Sequence, residues 1–373
     1  MLILSALGEL DRHDTGRHPE RRARLTAVER GIADAVGPAG DDAIVRIPTR
    51  RATPDEITRV HDPHYVWSLE QLASEGGGEL DPDTPVSSGS WDTACLAAGA
   101  GLAVVDELAT RGTGWGFVAV RPPGHHARPG TGMGFCLLNN VAIAAAALAE
   151  RGERVLIVDW DVHHGNGTQD AFWDDPRVLY ASIHQSPLYP GTGRVGETGG
   201  PGAPGTTINV PLPAGTTGEM YRRAIDEVVA EASAAFAPSW VLVSAGFDGH
   251  RSDPLAGHVL TAGDYAQLAA RVVALAPRDG RVALFLEGGY DLDALRRSVA
   301  ATVGRLLGSF ESDEAPSRGG PGDETLATVR AVRRRLASIT EPGPHGTGPD
   351  DRAEADLAGR PGAHGSERGD RAP

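Results

Sequence analysis

Val155-Leu-Ile-Val158-Asp159-Trp160-Asp161-Val162-His163-His164-Gly165 is the stretch that decides the fold. Its first four side chains are all apolar, with no alternation. That pattern reads as a strand buried on both faces, as in a parallel sheet covered by helices. The run then turns polar at once. Three other apolar runs do the same. Gly116–Val120 leads into Arg121-Pro-Pro-Gly124-His125-His126, Trp240–Ser244 into Ala245-Gly-Phe-Asp248, and Val282–Leu286 into Glu287-Gly-Gly-Tyr290. In open parallel sheets, ligands bind beyond the carboxyl ends of the strands. Four polar clusters at four such ends would gather on one rim.

Working outward, Leu2–Leu7, Ile44–Ile47, Val178–Ile183 and Thr206–Val210 read as further buried strands. Helix patterns fall at Trp91–Thr110, Asn139–Arg151, Gly218–Phe236, Thr261–Leu275 and Leu292–Leu307. The expected fold class is α/β: a single-domain, three-layer αβα arrangement around a mostly parallel eight-stranded sheet. At roughly 150 residues per domain, 373 residues would also allow two domains. No composition break divides residues 1 to 308, so one domain is the better reading.

Composition removes several function classes. A net charge of −15 argues against nucleic acid or an anionic membrane as the main partner. No uninterrupted apolar run approaches the ~20 residues of a membrane span. The apolar start lacks a basic region and reads as a strand, not a signal peptide. Two cysteines, Cys95 and Cys136, cannot build a disulfide framework, and a reducing cytoplasm is expected. The chain contains no lysine, which codon bias accounts for.

The clusters carry the chemistry. Asp159, Asp161 and His163 alternate, and a strand continued that far would point them to one face. With Asp248 they form a nitrogen-and-oxygen donor set suited to Zn²⁺, Fe²⁺ or Mn²⁺. One Asp-x-Asp alone usually caps a loop; convergence with the other clusters favours a metal site. His125 and His126, turned inward after Gly124, could supply an acid and a base. Tyr290, beyond tandem glycines, could aim its hydroxyl at a developing oxyanion. Gly130-Thr-Gly-Met-Gly134-Phe135-Cys136 lacks the Lys-Ser/Thr ending of a P-loop and reads as a pocket wall, with Phe135 as an aromatic face.

Taken together, these motifs resemble the zinc-dependent histone deacetylase family, in particular its class II branch and the bacterial deacetylases and acetylpolyamine amidohydrolases similar to it. The resemblance runs from about residue 14 to residue 308. It begins at His18-Pro-Glu20…Arg24-Leu25. It continues through Arg-Pro-Pro-Gly-His-His, Gly-Phe-Cys-Leu-Leu-Asn-Asn, Val-Asp-Trp-Asp-Val-His-His-Gly-Asn-Gly-Thr-Gln, Ser-Ala-Gly-Phe-Asp and Leu-Glu-Gly-Gly-Tyr, in family order.

The resemblance implies that Asp161, His163 and Asp248 hold one zinc ion, with Fe²⁺ as the alternative in cells. His125 and His126 match the tandem histidines, Asp159 the carboxylate that holds His125, and Asn166 the partner of His126. Tyr290 matches the tyrosine that polarises the scissile carbonyl. Gly134, Phe135 and Tyr189 match an acyl-lysine tunnel, and Asp83 a rim acid that grips substrate backbone. Structural potassium would sit at Asp159, Asp161, His163 and Ser182. Arg24 matches the arginine of an internal channel near the acetate product. Two departures stand out: Arg22 replaces a usual proline, and residues 191–206 are irregular and rich in Gly and Pro.

On this reading residues 1–310 are the deacetylase catalytic domain. Residues 311–340 are a linker and C-terminal helix, and 341–373 a disordered tail with one leucine and no other large apolar residue. The expected activity is metal-assisted hydrolysis of an N-acetyl amide. His126 would be the general base, and His125 would assist protonation. Polyamine-selective relatives place a glutamate where this chain has Leu255, which favours acetyl-lysine in proteins or peptides over small acetylated amines. No direct nucleic-acid or membrane partner is expected, and the oligomeric state is open. An arginase-type ureohydrolase would need further acids at positions 165 and 250, which hold Gly and His. A non-catalytic acyl-lysine binder would be free to lose the histidines or tyrosine, which this chain keeps.

Overall fold

The computed structural model describes residues 1–5, 10, 12–37, 40–309 and 312–340. In chain order the strands are β1 (Leu2–Ser5), β2 (Ile44–Ile47), β3 (Gly77–Glu79), β4 (Pro85–Ser87), β5 (Trp115–Val118), β6 (Val155–Asp159), β7 (Val178–Gln185), β8 (Thr207–Leu212), β9 (Trp240–Ala245) and β10 (Val282–Leu286). The helices are α1 (Ala23–Val36), α2 (Pro54–Ile57), α3 (Pro63–Ser74), α4 (Ser90–Arg111), α5 (Asn140–Glu150), α6 (Asn166–Ala171), α7 (Gly218–Ala224), α8 (Ala230–Phe236), α9 (Ala262–Ala274), α10 (Leu292–Leu307) and α11 (Asp323–Thr340).

Eight strands form one sheet in the order β2-β1-β5-β10-β9-β6-β7-β8. Every neighbouring pair in it is parallel. All residues of β6, β7, β9 and β10 are buried, so helices cover both faces, as continuous apolar runs require. The α4–α5 pair packs together in one layer and α1, α10 and α9 in another. The expected α/β class, its three layers and its eight strands are therefore all present. β3 and β4 form a separate antiparallel hairpin that carries the loop with Asp81 and Asp83.

The four strands that run into polar clusters, β5, β10, β9 and β6, are adjacent in the sheet. Parallel direction puts their carboxyl ends side by side on one rim. Helix starts lie close behind: Asn139 caps α5 by accepting from the Ala142 amide at 3.0 Å, and Asp291 caps α10 by accepting from Ala294 at 2.8 Å.

Differences from the sequence reading are local. β6 ends at Asp159, so Asp161 and His163 sit in the loop beyond it and strand alternation does not align them. The expected helix at 218–236 is α7 and α8 joined through a π-turn at Ile225–Val229. The last helix, α11, occupies Asp323–Thr340 of the segment expected to hold a linker and a helix. Helix α4, at 22 residues, is long and apolar enough to cross a membrane by composition, but 72% of its most apolar window is buried in the fold. The expected tail at 341–373, like Leu7 at the end of the first apolar run, lies outside the described residues.

Candidate active site

Asp161, His163 and Asp248 come together with one donor atom each, all within 4.8 Å of one another. Backbone amides set this geometry. The amide of Asp161 donates to Asp159 Oδ1 at 3.2 Å, and that of His163 donates to Asp161 Oδ1 at 2.8 Å. Val162 N–H donates to Asp248 Oδ1 at 3.1 Å, and Gly288 N–H to Asp161 Oδ2 at 2.8 Å. Short side-chain-to-backbone turns thus do what an extended strand was expected to do. Glycine is required beside them. A Cβ on Gly288 would lie 1.9 Å from Asp248 Oδ2, and one on Gly246 would lie 2.1 Å from Asp161 Oδ2.

His163 Nδ1 lies 3.1 Å from both Asp161 Oδ1 and Asp248 Oδ2. Burial opposes its charge, but the two carboxylates outweigh burial and raise its pKa to about 10. Burial likewise opposes charge on Asp161, yet His125 and His163 hold it below the usual carboxylate range. Among the described residues, no arginine bonds to Asp161 or Asp248. Two buried carboxylates and one imidazole, with no arginine bonded to them, fit a divalent cation.

The tandem histidines have different partners. His125 Nδ1 faces Asp159 Oδ2 at 3.2 Å, whereas His126 Nδ1 faces Asn166 Oδ1 at 2.8 Å. Burial disfavours charge on both. For His125 the charges of Asp161 and Asp159 overcome burial and raise the pKa to about 10. For His126 burial wins, aided by repulsion from His125 and His163, and its pKa falls well below the ordinary value. Buried Glu287 secures the turn before them, accepting from Gly124 N–H at 2.6 Å and His125 N–H at 3.1 Å. Burial pushes Glu287 up to about 7. Sequence reasoning gave Glu287 no role; its place immediately before the tandem glycines was the available signal.

A cleft of about 210 Å³ reaches this cluster. It is lined by His126, His163 and Tyr290, and by Gly134, Phe135, Leu188, Tyr189, Asp83 and Leu255. All the residues expected to contact substrate are there, together with Leu188, which was not foreseen. Phe135 takes a left-handed backbone with φ of 70°, uncommon for a bulky residue. Two bonds hold it: Phe135 N–H to Thr84 Oγ1 at 3.0 Å, and Gly134 N–H to Asp81 Oδ2 at 3.3 Å. Its ring meets the Tyr290 ring edge-on at 5.6 Å. Tyr189 meets the His126 ring edge-on at 5.2 Å.

Asp253, given no role by the sequence, accepts the Tyr290 amide on Oδ2 at 2.6 Å. Arg24 is buried, donates to Gly289 O at 2.7 Å and to Glu287 O, and lies 4.9 Å from the Tyr290 ring centroid. Ser182 pairs with Asp159 across β6 and β7, and its hydroxyl lies 2.9 Å from His184 Nδ1.

Comparison with known proteins gives a consistent picture. A profile of the histone deacetylase domain matches residues 18–306. A probable deacetylase of Archaeoglobus fulgidus is 42% identical over 74% of this chain and 77% of its own length. Histone deacetylase 14, chloroplastic, of Arabidopsis thaliana is 38% identical over 90% of this chain and 83% of its own. The crystal structure of the HDA15 HD domain superposes with a TM-score of 0.81 at 34% identity, covering 90% of this chain and 96% of that one.

Proposed function

The chain belongs to the histone deacetylase family, and from that premise we propose that it is a zinc-dependent amidohydrolase acting on acetyl-lysine side chains of proteins or peptides. The observation that carries this reading is one cleft lined by His126, His163 and Tyr290 together with Phe135, Tyr189 and Leu255.

Asp161, His163 and Asp248 would hold the zinc, and a potassium ion would sit beside them near Asp159 and Ser182. Bound zinc supplies a Lewis acid that polarises the acetyl carbonyl and acidifies a water. The chain's own groups do the rest. Asn166 Oδ1 accepts a hydrogen bond from His126 Nδ1–H, which leaves Nε2 free to accept a proton from the attacking water. His125, paired with Asp159, stays protonated, stabilises negative charge and assists protonation of the leaving amine. The Tyr290 hydroxyl, kept protonated because burial raises its pKa well above the ordinary range, donates to the oxyanion. Phe135 and Tyr189 would flank the lysine methylenes, and Asp83 at the rim would accept from substrate backbone amides.

A neutral Leu255 favours a peptide over a substrate with a distal ammonium, so an acetylpolyamine or other small acetamide is the second reading. Both cysteines are buried and free, which supports a reducing, cytoplasmic setting. The test is a side-by-side turnover assay of zinc-loaded protein on an acetyl-lysine peptide and on N8-acetylspermidine, with metal content measured. Preference for the peptide is the expected result. Preference for the polyamine would overturn the substrate assignment, and cleavage of neither by metal-loaded protein would overturn the activity.

A further inference from the structure

Glu314 lies beyond residues 18–306, the span shared with the family profile. Its residue is only 8% exposed, and its carboxylate collects four donors. Oε2 accepts from His250 Nε2 at 3.0 Å and from the Ala262 amide at 2.8 Å. Oε1 accepts from Arg251 Nη2 and Arg297 Nη1, each at 2.7 Å. A buried carboxylate is stable only when its lone pairs are used in this way. The Ser252 amide donates to His250 Nδ1 at 3.1 Å, which leaves the ring proton on Nε2, aimed at Glu314.

From His250 the bonding continues toward the cleft. The His250 carbonyl accepts the Asp253 amide at 2.8 Å, and Asp253 Oδ2 accepts the Tyr290 amide at 2.6 Å. The same short loop begins with Asp248 and carries Leu255, which lines the cleft. One carboxylate from the C-terminal segment therefore ties this loop to the start of α9 and to Arg297 on α10.

We infer that Glu314 is a positioning residue: by clamping His250 it fixes the 248–255 loop, and with it the Asp248 carboxylate and Tyr290. This rests on the proposed metal-dependent reading of the site.

The experiment compares Glu314→Ala with Ser317→Ala in the full chain. Ser317 belongs to the same C-terminal segment but bonds to Asp264 and to the Gly218 amide, away from the 248–255 loop. Zinc affinity is read by competition with a chromophoric chelator. Values of kcat and KM are read per site, with sites counted by hydroxamate titration. For Glu314→Ala, zinc affinity and kcat should each fall about tenfold, the lower end for partners that orient ligands, with KM held. Ser317→Ala should lower Tm and leave both within about twofold. Unchanged zinc affinity in Glu314→Ala would overturn the inference, as would equal losses in both variants. If Glu314→Ala does not fold, Glu314→Gln reads the same quantities at constant volume. A wild-type protein that binds zinc but cleaves no acetyl amide would overturn the proposed function, and the affinity arm would still decide on Glu314.

Discussion

The His126 imidazole and the Asn166 side chain meet at 2.8 Å, Nδ1 to Oδ1, at the first residue of α6. The amide nitrogen of Asn166 is directed at Met133 Sδ, 3.3 Å away, which fixes the oxygen toward the histidine. A neutral acceptor orients His126 and adds less to its basicity than the Asp159 carboxylate adds to that of His125. Asn166→Ala should therefore lower kcat by about 10- to 100-fold, within the range of a misoriented general base, with KM little changed. Asn166→Asp keeps the acceptor and should keep most activity. Its new carboxylate favours protonated His126, so the acidic limb of the kcat/KM profile should move to higher pH. An unmoved limb would show that His126 is not the titrating base.

Much of this site was legible because the chemistry is local in sequence. Each cluster directly follows a run of apolar residues, and a parallel sheet brings such ends together. β5, β10, β9 and β6 turned out to be neighbours, an order that periodicity could not supply. What stayed hidden depends on contacts distant in sequence. Glu287 meets the amide of Gly124 from 163 residues away, and Glu314 meets His250 from 64 residues away. The alignment of Asp161 with His163 was anticipated for the wrong reason, since amide-to-carboxylate turns beyond β6 produce it. Helix α1 was missed although Leu25, Val28, Ile32 and Ala35 all face inward at helical spacing, because its first turn follows Arg22 with no side-chain cap.

Tyr290 sits with its ring against Phe135 and Arg24, so its loss to phenylalanine changes one hydroxyl and little packing. Tyr290→Phe should reduce kcat by about 10² to 10³, the usual cost of one oxyanion donor. Zinc content and hydroxamate binding should persist within an order of magnitude. Near-normal turnover in this variant would remove Tyr290 from the mechanism.

Asp161 accepts three backbone or ring donors and stands between His163 and Gly288. Asp161→Ala should lose metal and activity together, with zinc per chain measured by emission spectrometry on the dialysed protein. Retained stoichiometric zinc would place the metal elsewhere. Asp248→Ala should behave alike, because the two carboxylates share His163.

Leu255 lines the cleft and is held by its amide, which donates to Asp253 Oδ1 at 3.0 Å. Leu255→Glu would place a carboxylate where the distal ammonium of a polyamine would lie. A partly exposed ion pair of ~1 kcal/mol corresponds to about fivefold in kcat/KM for N8-acetylspermidine. The acetyl-lysine peptide should gain nothing unless it carries a neighbouring positive charge. Equal effects on both substrates would mean that Leu255 does not face the distal part of the ligand.

Glu20 is fully buried between Arg121, Arg24 and His13, with oxygens 2.9 and 2.7 Å from Arg121 Nε and Nη2. Burial opposes its charge, but the Arg121 hydrogen bonds and the two guanidinium charges prevail and bring its pKa from 4.5 to about 2. A depressed carboxyl stabilises the fold above its unfolded value and loses that contribution as pH falls through the folded value. With a tenfold change in proton affinity equivalent to ~1.4 kcal/mol, the contribution is about 3 kcal/mol at pH 7 and about 1 kcal/mol near pH 3. Glu20→Gln leaves two buried arginines without their counter-charge, so it should destabilise the protein at pH 7. The gap between the variant and the parent, read from urea unfolding, should shrink by about 2 kcal/mol between pH 7 and about pH 3. A gap of constant size would place the acid sensitivity of the fold in other carboxylates.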